Sequence, residues 1–243
     1  MRKTKAPIHH TVILNARPGA GKSEIIKYLK SFSIEKRIRN FHIGEIHVID
    51  DFPYLWRWFE EDAILEKMGK ARLFSDQEGY FKYPYLWELL IQLINLEYEK
   101  FVRDCEDIEN YTIFIEFSRG TQHGGYQKAY SLLSDDILNH ACLLYLHVSW
   151  EESLRKNRQR FNPDKPDSIL EHGIPDKKLE YMYKACDFFD LIDNDDHISI
   201  NNKCIPYSIF DNDDDVTTQP TPELGERLKK CFDDLWEKKA NLE

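Results

Sequence analysis

Positive charge is what this chain is shortest of. Its 243 residues carry 33 lysines and arginines against 43 aspartates and glutamates, a formal net charge of −10. Binding to a phosphate backbone draws on a basic surface, so a nucleic-acid partner is disfavoured. Cysteine is scarce too. Cys105, Cys142, Cys186, Cys204 and Cys231 are odd in number, far apart and never in a Cys-x-x-Cys pair, which argues against a disulfide framework and against a zinc site. Reduced thiols in a cytoplasmic protein are the expectation. No stretch approaches the roughly 20 apolar residues of a membrane span, and the basic residues 1–10 lack the apolar core of a secretion signal. No membrane partner is expected. The guanine-reading tetrapeptide Asn-Lys-x-Asp is missing, and the acidic run 211–215 lacks the glycine and closing glutamate of an EF-hand loop. There is no internal repeat and no low-complexity tract. What remains is 42% hydrophobic, 13% aromatic and 31% charged, the composition of a globular chain. It supports one domain over residues 1–243 with a packed core and a mobile insertion.

One stretch concentrates the chemistry: Asn15-Ala16-Arg17-Pro18-Gly19-Ala20-Gly21-Lys22-Ser23. It follows an apolar run, Thr11 to Leu14, and opens an amphipathic one that starts at Glu24, in the order strand, tight loop, helix. In that setting Gly19 and Gly21 let successive backbone N–H groups converge on a phosphate. Lys22 brings a point charge to the outer phosphates, and the Ser23 hydroxyl can ligate magnesium. Arg17, Pro18 and Ala20 complete the nucleotide-binding segment, and the helix start adds its positive dipole end. The P-loop pattern asks for glycine five positions before Gly21, where this chain has Ala16. A glycine-rich turn that binds nothing is the alternative.

Four more apolar runs read as buried parallel strands. The first begins at Ile46 and ends in Asp50, Asp51 and Pro53; the others span residues 111–117, 141–148 and 205–210. Helical periodicity covers residues 54–68, 86–103, 126–140, 150–160 and 177–189, and a last helix opens at Thr221-Pro222-Glu223. Carboxylates at the C-terminal ends of parallel strands point into the crevice where open α/β sheets bind ligands. Asp51 is thereby a candidate for the acceptor hydroxyl and Asp50 for a metal, although which of the two faces the site is open and a helix cap would explain either. Glu116 closes its strand in the manner of a Walker B carboxylate, a second metal candidate beside Ser23. Arg119 follows in a glycine-containing loop, placed to reach a phosphate or a polar substrate. His123, in the same loop, is expected to be solvated. The helix over 150–160 carries Arg155, Lys156, Arg158 and Arg160 and runs into a proline-containing excursion, so residues 155–176 form a candidate lid whose Arg155 and Arg158 approach developing charge. A solvated charged helix face would carry the same residues. Residues 53–110, rich in aromatics, form the acceptor side.

With its loop, strand-end acids and arginine helix, the chain resembles the P-loop nucleoside and nucleotide kinase superfamily, which includes deoxynucleoside and adenylate kinases. The resemblance spans nearly the whole chain and is specific at Gly19 to Ser23. It implies an α/β three-layer fold with a five-stranded parallel sheet in the order 2-3-1-4-5. It also implies ATP and Mg2+ held by Lys22 and Ser23, an acid after strand two that orients or deprotonates the acceptor, and lid arginines on the transferring phosphoryl. Where deoxynucleoside kinases end strand three in Glu-Arg-Ser, this chain has Glu116-Phe117-Ser118-Arg119, and the Asp-Arg-Tyr triplet of thymidylate kinases is absent. The activity implied is ATP-dependent phosphoryl transfer to a small acceptor, a nucleoside or nucleotide. A non-catalytic ATP-binding module acting through a protein partner is the second reading, and a nucleic-acid end kinase, opposed by the net charge, is the third. A homodimer stays open.

Overall fold

In the computed structural model, residues 7–161, 164, 173–192, 196–219 and 221–242 are described. Strand β1 (Thr11–Ala16) is buried along its whole length, as a strand covered on both faces must be. Around it lie β2 (Glu45–Asp50), β3 (Tyr111–Phe117), β4 (Ala141–His147), β5 (His197–Ile200) and β6 (Lys203–Asp211). They form one six-stranded sheet in the order β2-β3-β1-β4-β6-β5. The pairs β2·β3, β3·β1, β1·β4 and β4·β6 are parallel. The C-terminal ends of β2, β3, β1 and β4 therefore share one edge.

The expected five strands become six. The segment over His197–Ile200 turns back through Asn201 and Asn202 and pairs antiparallel with β6. Both asparagines sit in the left-handed region, at φ 50° and 63°, as a two-residue hairpin loop requires. Four residues are too short for alternation to declare a strand, and the pairing that makes it one is supplied by β6.

Helices cover both faces. Val12, Leu14, Phe114 and Leu144 pack against Ile25 and Leu29 of α1 (Lys22–Lys30) and Leu228, Phe232 and Leu235 of α9 (Pro222–Leu242). On the other face Ile13, Ile113, Ile115 and Leu143 meet Ile91 and Ile94 of α4 (Tyr85–Asp104), Tyr126 and Tyr130 of α5 (Gly125–Ser131) and Ile137 of α6 (Asp135–His140). The expected single helix over 126–140 is thus two helices, because Ser134 breaks the run and caps α6 by accepting from the Ile137 N–H. Residues 34–41 form α2 (Ile34–Phe41), whose buried Arg37 pairs with Glu45 at 2.9 Å.

A third cluster lies off the sheet. Trp87 and Leu90 pack on Leu179, Met182 and Tyr183 of α8 (Asp176–Tyr183), with Tyr54, Leu55 and Trp58 of α3 (Phe52–Lys67), Tyr80 and Phe81 against them. The helix expected over 177–189 stops at Tyr183, and a separate 3-10 turn spans Phe188–Leu191. Helix α7 (Trp150–Arg160) leaves β4 through Ser149, which accepts from the Glu152 N–H at 3.2 Å, the expected cap. No helix among the described residues is long and apolar enough to cross a membrane.

Candidate active site

The loop between β1 and α1 has the backbone its sequence asks for. Gly19 and Gly21 stand at φ 79° and 104°. Gly21 ends the loop, and no side chain caps the first turn of α1, so its N–H groups stay open toward the crevice. Ala16, where the pattern has glycine, is the last residue of a regular strand; its carbonyl accepts from the Tyr126 hydroxyl at 3.0 Å. Tyr130 donates to Asn15 Oδ1 at 2.8 Å and Asn15 Nδ2 to the Phe117 carbonyl at 2.9 Å, so α5 braces the loop from below.

From above, α7 lies on the loop. Ser153 Oγ donates to the Pro18 carbonyl at 2.8 Å, and a Cβ at Gly19 would meet Lys156 Cβ at 3.3 Å. From the side comes the segment after β6: Asn212 Nδ2 donates to the Ala20 carbonyl at 2.8 Å, and a Cβ at Gly21 would fall 2.5 Å from Thr217 Oγ1. Lys156 ties the two together, donating to Thr217 Oγ1 at 3.2 Å and pairing with Asp215 at 2.5 Å. Sequence reasoning missed Ser153, Asn212 and Thr217, which look like ordinary helix and loop residues until the fold sets them on the glycines.

Lys22 Nζ donates to Ser118 Oγ at 3.0 Å, over the ends of β2 and β3. There Asp50 and Glu116 stand opposite one another in the parallel register. Both carboxyls are pushed up. Burial is the main cause in each case: Glu116, 6% exposed, rises to about 7 with Lys22 opposing the shift and Asp50 adding to it. Asp50 rises to about 6, with the Asp51 charge adding to burial and the Phe52 N–H, Lys22 and Arg160 opposing. The donors that face each other here are oxygens, two carboxylates at the strand ends, and a hard dication such as Mg2+ takes oxygen donors of this kind. Among the described residues no group of three or more histidines, cysteines or acids could hold a metal unaided.

Asp51 is directed elsewhere. It is buried and paired with Arg119 at 2.6 Å. Arg119 also donates to the Ser118 carbonyl at 2.8 Å and the Trp87 carbonyl at 3.3 Å, with its guanidinium 5.1 Å from the Trp87 ring centre. The displaced arginine of this chain is therefore anchored on Asp51. His123, expected in solvent, is instead half-buried and stacks on Trp87 at 3.8 Å. Burial, with the Arg119 charge, pulls its pKa down to about 3, so the ring is neutral.

The arginines of α7 separate. Arg155 pairs with Glu152 and Asp215, each at 2.6 Å, and Arg158 with Asp176 at 2.6 Å; both are exposed. Arg160, on the last turn, is also open to water along part of its length, yet feels the charges of Glu24 and Asp50. Of the candidate lid over 155–176, residues 162, 163 and 165–172 lie outside the described residues. Arg17 is fixed by the Val148 carbonyl at 2.9 Å and the Lys184 carbonyl at 3.2 Å.

No protein-family model matches the chain, and no curated protein matches it. Among solved structures it is similar to the crystal structure of an unliganded sugar kinase from Janibacter sp. HTCC2649, at 13% identity and a TM-score of 0.41, over 94% of this chain and 96% of that one. A likeness this distant says nothing about chemistry.

Proposed function

We propose that this chain is an ATP- and magnesium-dependent phosphotransferase that moves the γ-phosphoryl group to a small acceptor, a nucleoside or nucleotide. One observation carries the proposal: Lys22, at the uncapped start of α1, stands over the half-buried Asp50 and the buried Glu116 at the shared edge of the parallel strands. Positive N–H groups, one lysine and a pair of desolvated carboxylates are what a nucleotide triphosphate with its dication needs for binding. In that arrangement the backbone N–H groups of residues 17 and 19–23 and the Lys22 side chain would hold the β- and γ-phosphates, while Ser23, Glu116 and Asp50 would hold Mg2+ directly or through its water. Bound there, the metal neutralises charge on the transferring group. Asp51 takes the acceptor hydroxyl, with Arg119 fixing its orientation. Arg155 and Arg158 approach the developing charge once the nucleotide draws them from Glu152, Asp215 and Asp176. Phosphoryl transfer asks for little more than such positioning and charge neutralisation.

The test is ADP release from ATP and Mg2+ across a panel of nucleosides, nucleoside monophosphates and sugars. Acceptor-dependent release is expected, falling by about three orders of magnitude or more in Lys22→Ala while the circular dichroism and melting curve stay as in the parent. Unchanged turnover in that variant would sink the proposal. Tight ATP binding with no stimulated release would favour a binding module.

A further inference from the structure

Beside the Asp51–Arg119 pair the fold leaves a cavity of about 360 Å³, walled by Tyr80 and Phe81 from the loop before α4, Trp87, His123, and Tyr181 and Met182 of α8. That volume lies in the range of small-molecule sites. Among the described residues that line it there is no lysine, arginine, aspartate or glutamate. A phosphate entering it would lose its water and gain no cation, a large cost. Flat rings, by contrast, find flat partners: Phe81 and Trp87 lie 4.8 Å apart and His123 stacks on Trp87.

His123 supplies a polar handle. The Gly120 N–H donates to its Nδ1 at 3.4 Å, so the neutral ring carries its proton on Nε2. Nε2 is buried and has no hydrogen-bond partner among the described residues. A donor left unpaired in this way is costly, and a ligand acceptor atom that displaces the side chains covering it recovers the loss. The cavity also communicates with the proposed acceptor acid through one residue, since Trp87 gives its carbonyl and its ring face to Arg119.

We propose that this cavity takes the ring of an uncharged, planar heteroaromatic acceptor, a nucleoside and not a nucleotide, and that His123 selects it by donating from Nε2 to a ring carbonyl or ring nitrogen. That the ligand is the acceptor rests on the phosphotransferase reading; that it binds does not. The experiment is calorimetry on the full chain without ATP, using uridine, thymidine, adenosine and guanosine, their 5′-monophosphates, and glucose as a control without an aromatic ring. At least one nucleoside binds saturably, its monophosphate binds at least tenfold more weakly, and glucose does not bind. His123→Phe, which keeps the stack and deletes the donor, weakens the nucleoside by about tenfold, and His123→Gln restores part of that loss. Absence of nucleoside binding, a monophosphate that binds as tightly as its nucleoside, or His123→Phe without effect overturns the proposal. If His123→Phe does not fold, the nucleoside-to-monophosphate ratio of the parent decides alone. Nucleoside binding with no ATP consumed defeats the phosphotransferase reading and leaves the cavity standing. ATP consumption on a sugar or monophosphate that is indifferent to His123 does the reverse.

Discussion

Asp51 and Arg119 illustrate how the cost of changing a residue depends on what it leaves behind. Each is buried, and the two pair with one another at 2.6 Å. Removing one partner strands a charge in a low-dielectric site, which costs about 3–5 kcal/mol, while replacing both by apolar groups of similar volume is close to neutral. Asp51→Ala is therefore expected to lower stability by about 3 kcal/mol, and Asp51→Leu combined with Arg119→Met to recover most of it. Chemical denaturation of the two variants checks this. The consequence for function is practical: loss of turnover in Asp51→Ala alone would conflate acceptor chemistry with unfolding, whereas a well-folded, inactive double variant separates them. The pair joins positions 51 and 119, and no local pattern in the sequence announces such a partnership. What was legible was each residue's place at a strand end. Gly19, Gly21 and Lys22 were legible outright, because the requirement there is local: a turn, a close approach and a helix start within five residues.

At the scale of elements, the apolar runs gave β1, β2, β3, β4 and β6 at close to their observed limits, since strands buried on both faces must be apolar throughout. The sequence was mute where neighbours decide. Helix α2 is short and polar and is held by Arg37 against Glu45 and α9; β5 exists through β6. The aromatic helix α3 has one fully buried residue, and it is an acid. Asp62 accepts from the backbone N–H groups of Leu73, Phe74 and Ser75 and from the Ser75 hydroxyl at 2.7 Å. These bonds hold its pKa down against the effect of burial. They also fold residues 72–75 onto α3 and so set the loop that carries Tyr80 and Phe81. Asp62→Ala should cost about 3 kcal/mol, the scale expected when charge-assisted bonds to buried donors are lost. Hydrogen exchange at the amides of 73–75 should accelerate in the variant while α4 stays protected; uniform protection across the loop would contradict this account.

For the molecule as a whole, pH acts through groups of opposite sign. His9 is fully buried between α9 and the sheet, donating from Nε2 to the Phe232 carbonyl at 3.2 Å, and burial lowers its pKa to about 3. The unfolded chain binds that proton near 6.5 and the folded chain does not, so stability is lost as pH falls from about 6.5 toward 3. At pH 4 the loss attributable to His9 is about 3 kcal/mol. His123 adds to it. Glu116 and Asp50 run the other way: their raised pKa values favour the fold at low pH and weaken it as pH climbs through 6 and 7. Melting temperature in the ligand-free chain should therefore change little near neutrality and drop steeply below pH 5, the drop being smaller in His9→Gln. One further consequence follows from the brace under the loop between β1 and α1. Since Ala16 closes a regular strand and its carbonyl is already bound by Tyr126, the conformational freedom of a glycine has no use there. Restoring the glycine by Ala16→Gly would only enlarge the disorder of the unfolded chain, lowering stability by roughly 0.5–1 kcal/mol with nucleotide affinity unchanged. In this chain the departure from the pattern is an entropic gain, drawn from a state in which the loop does not yet exist.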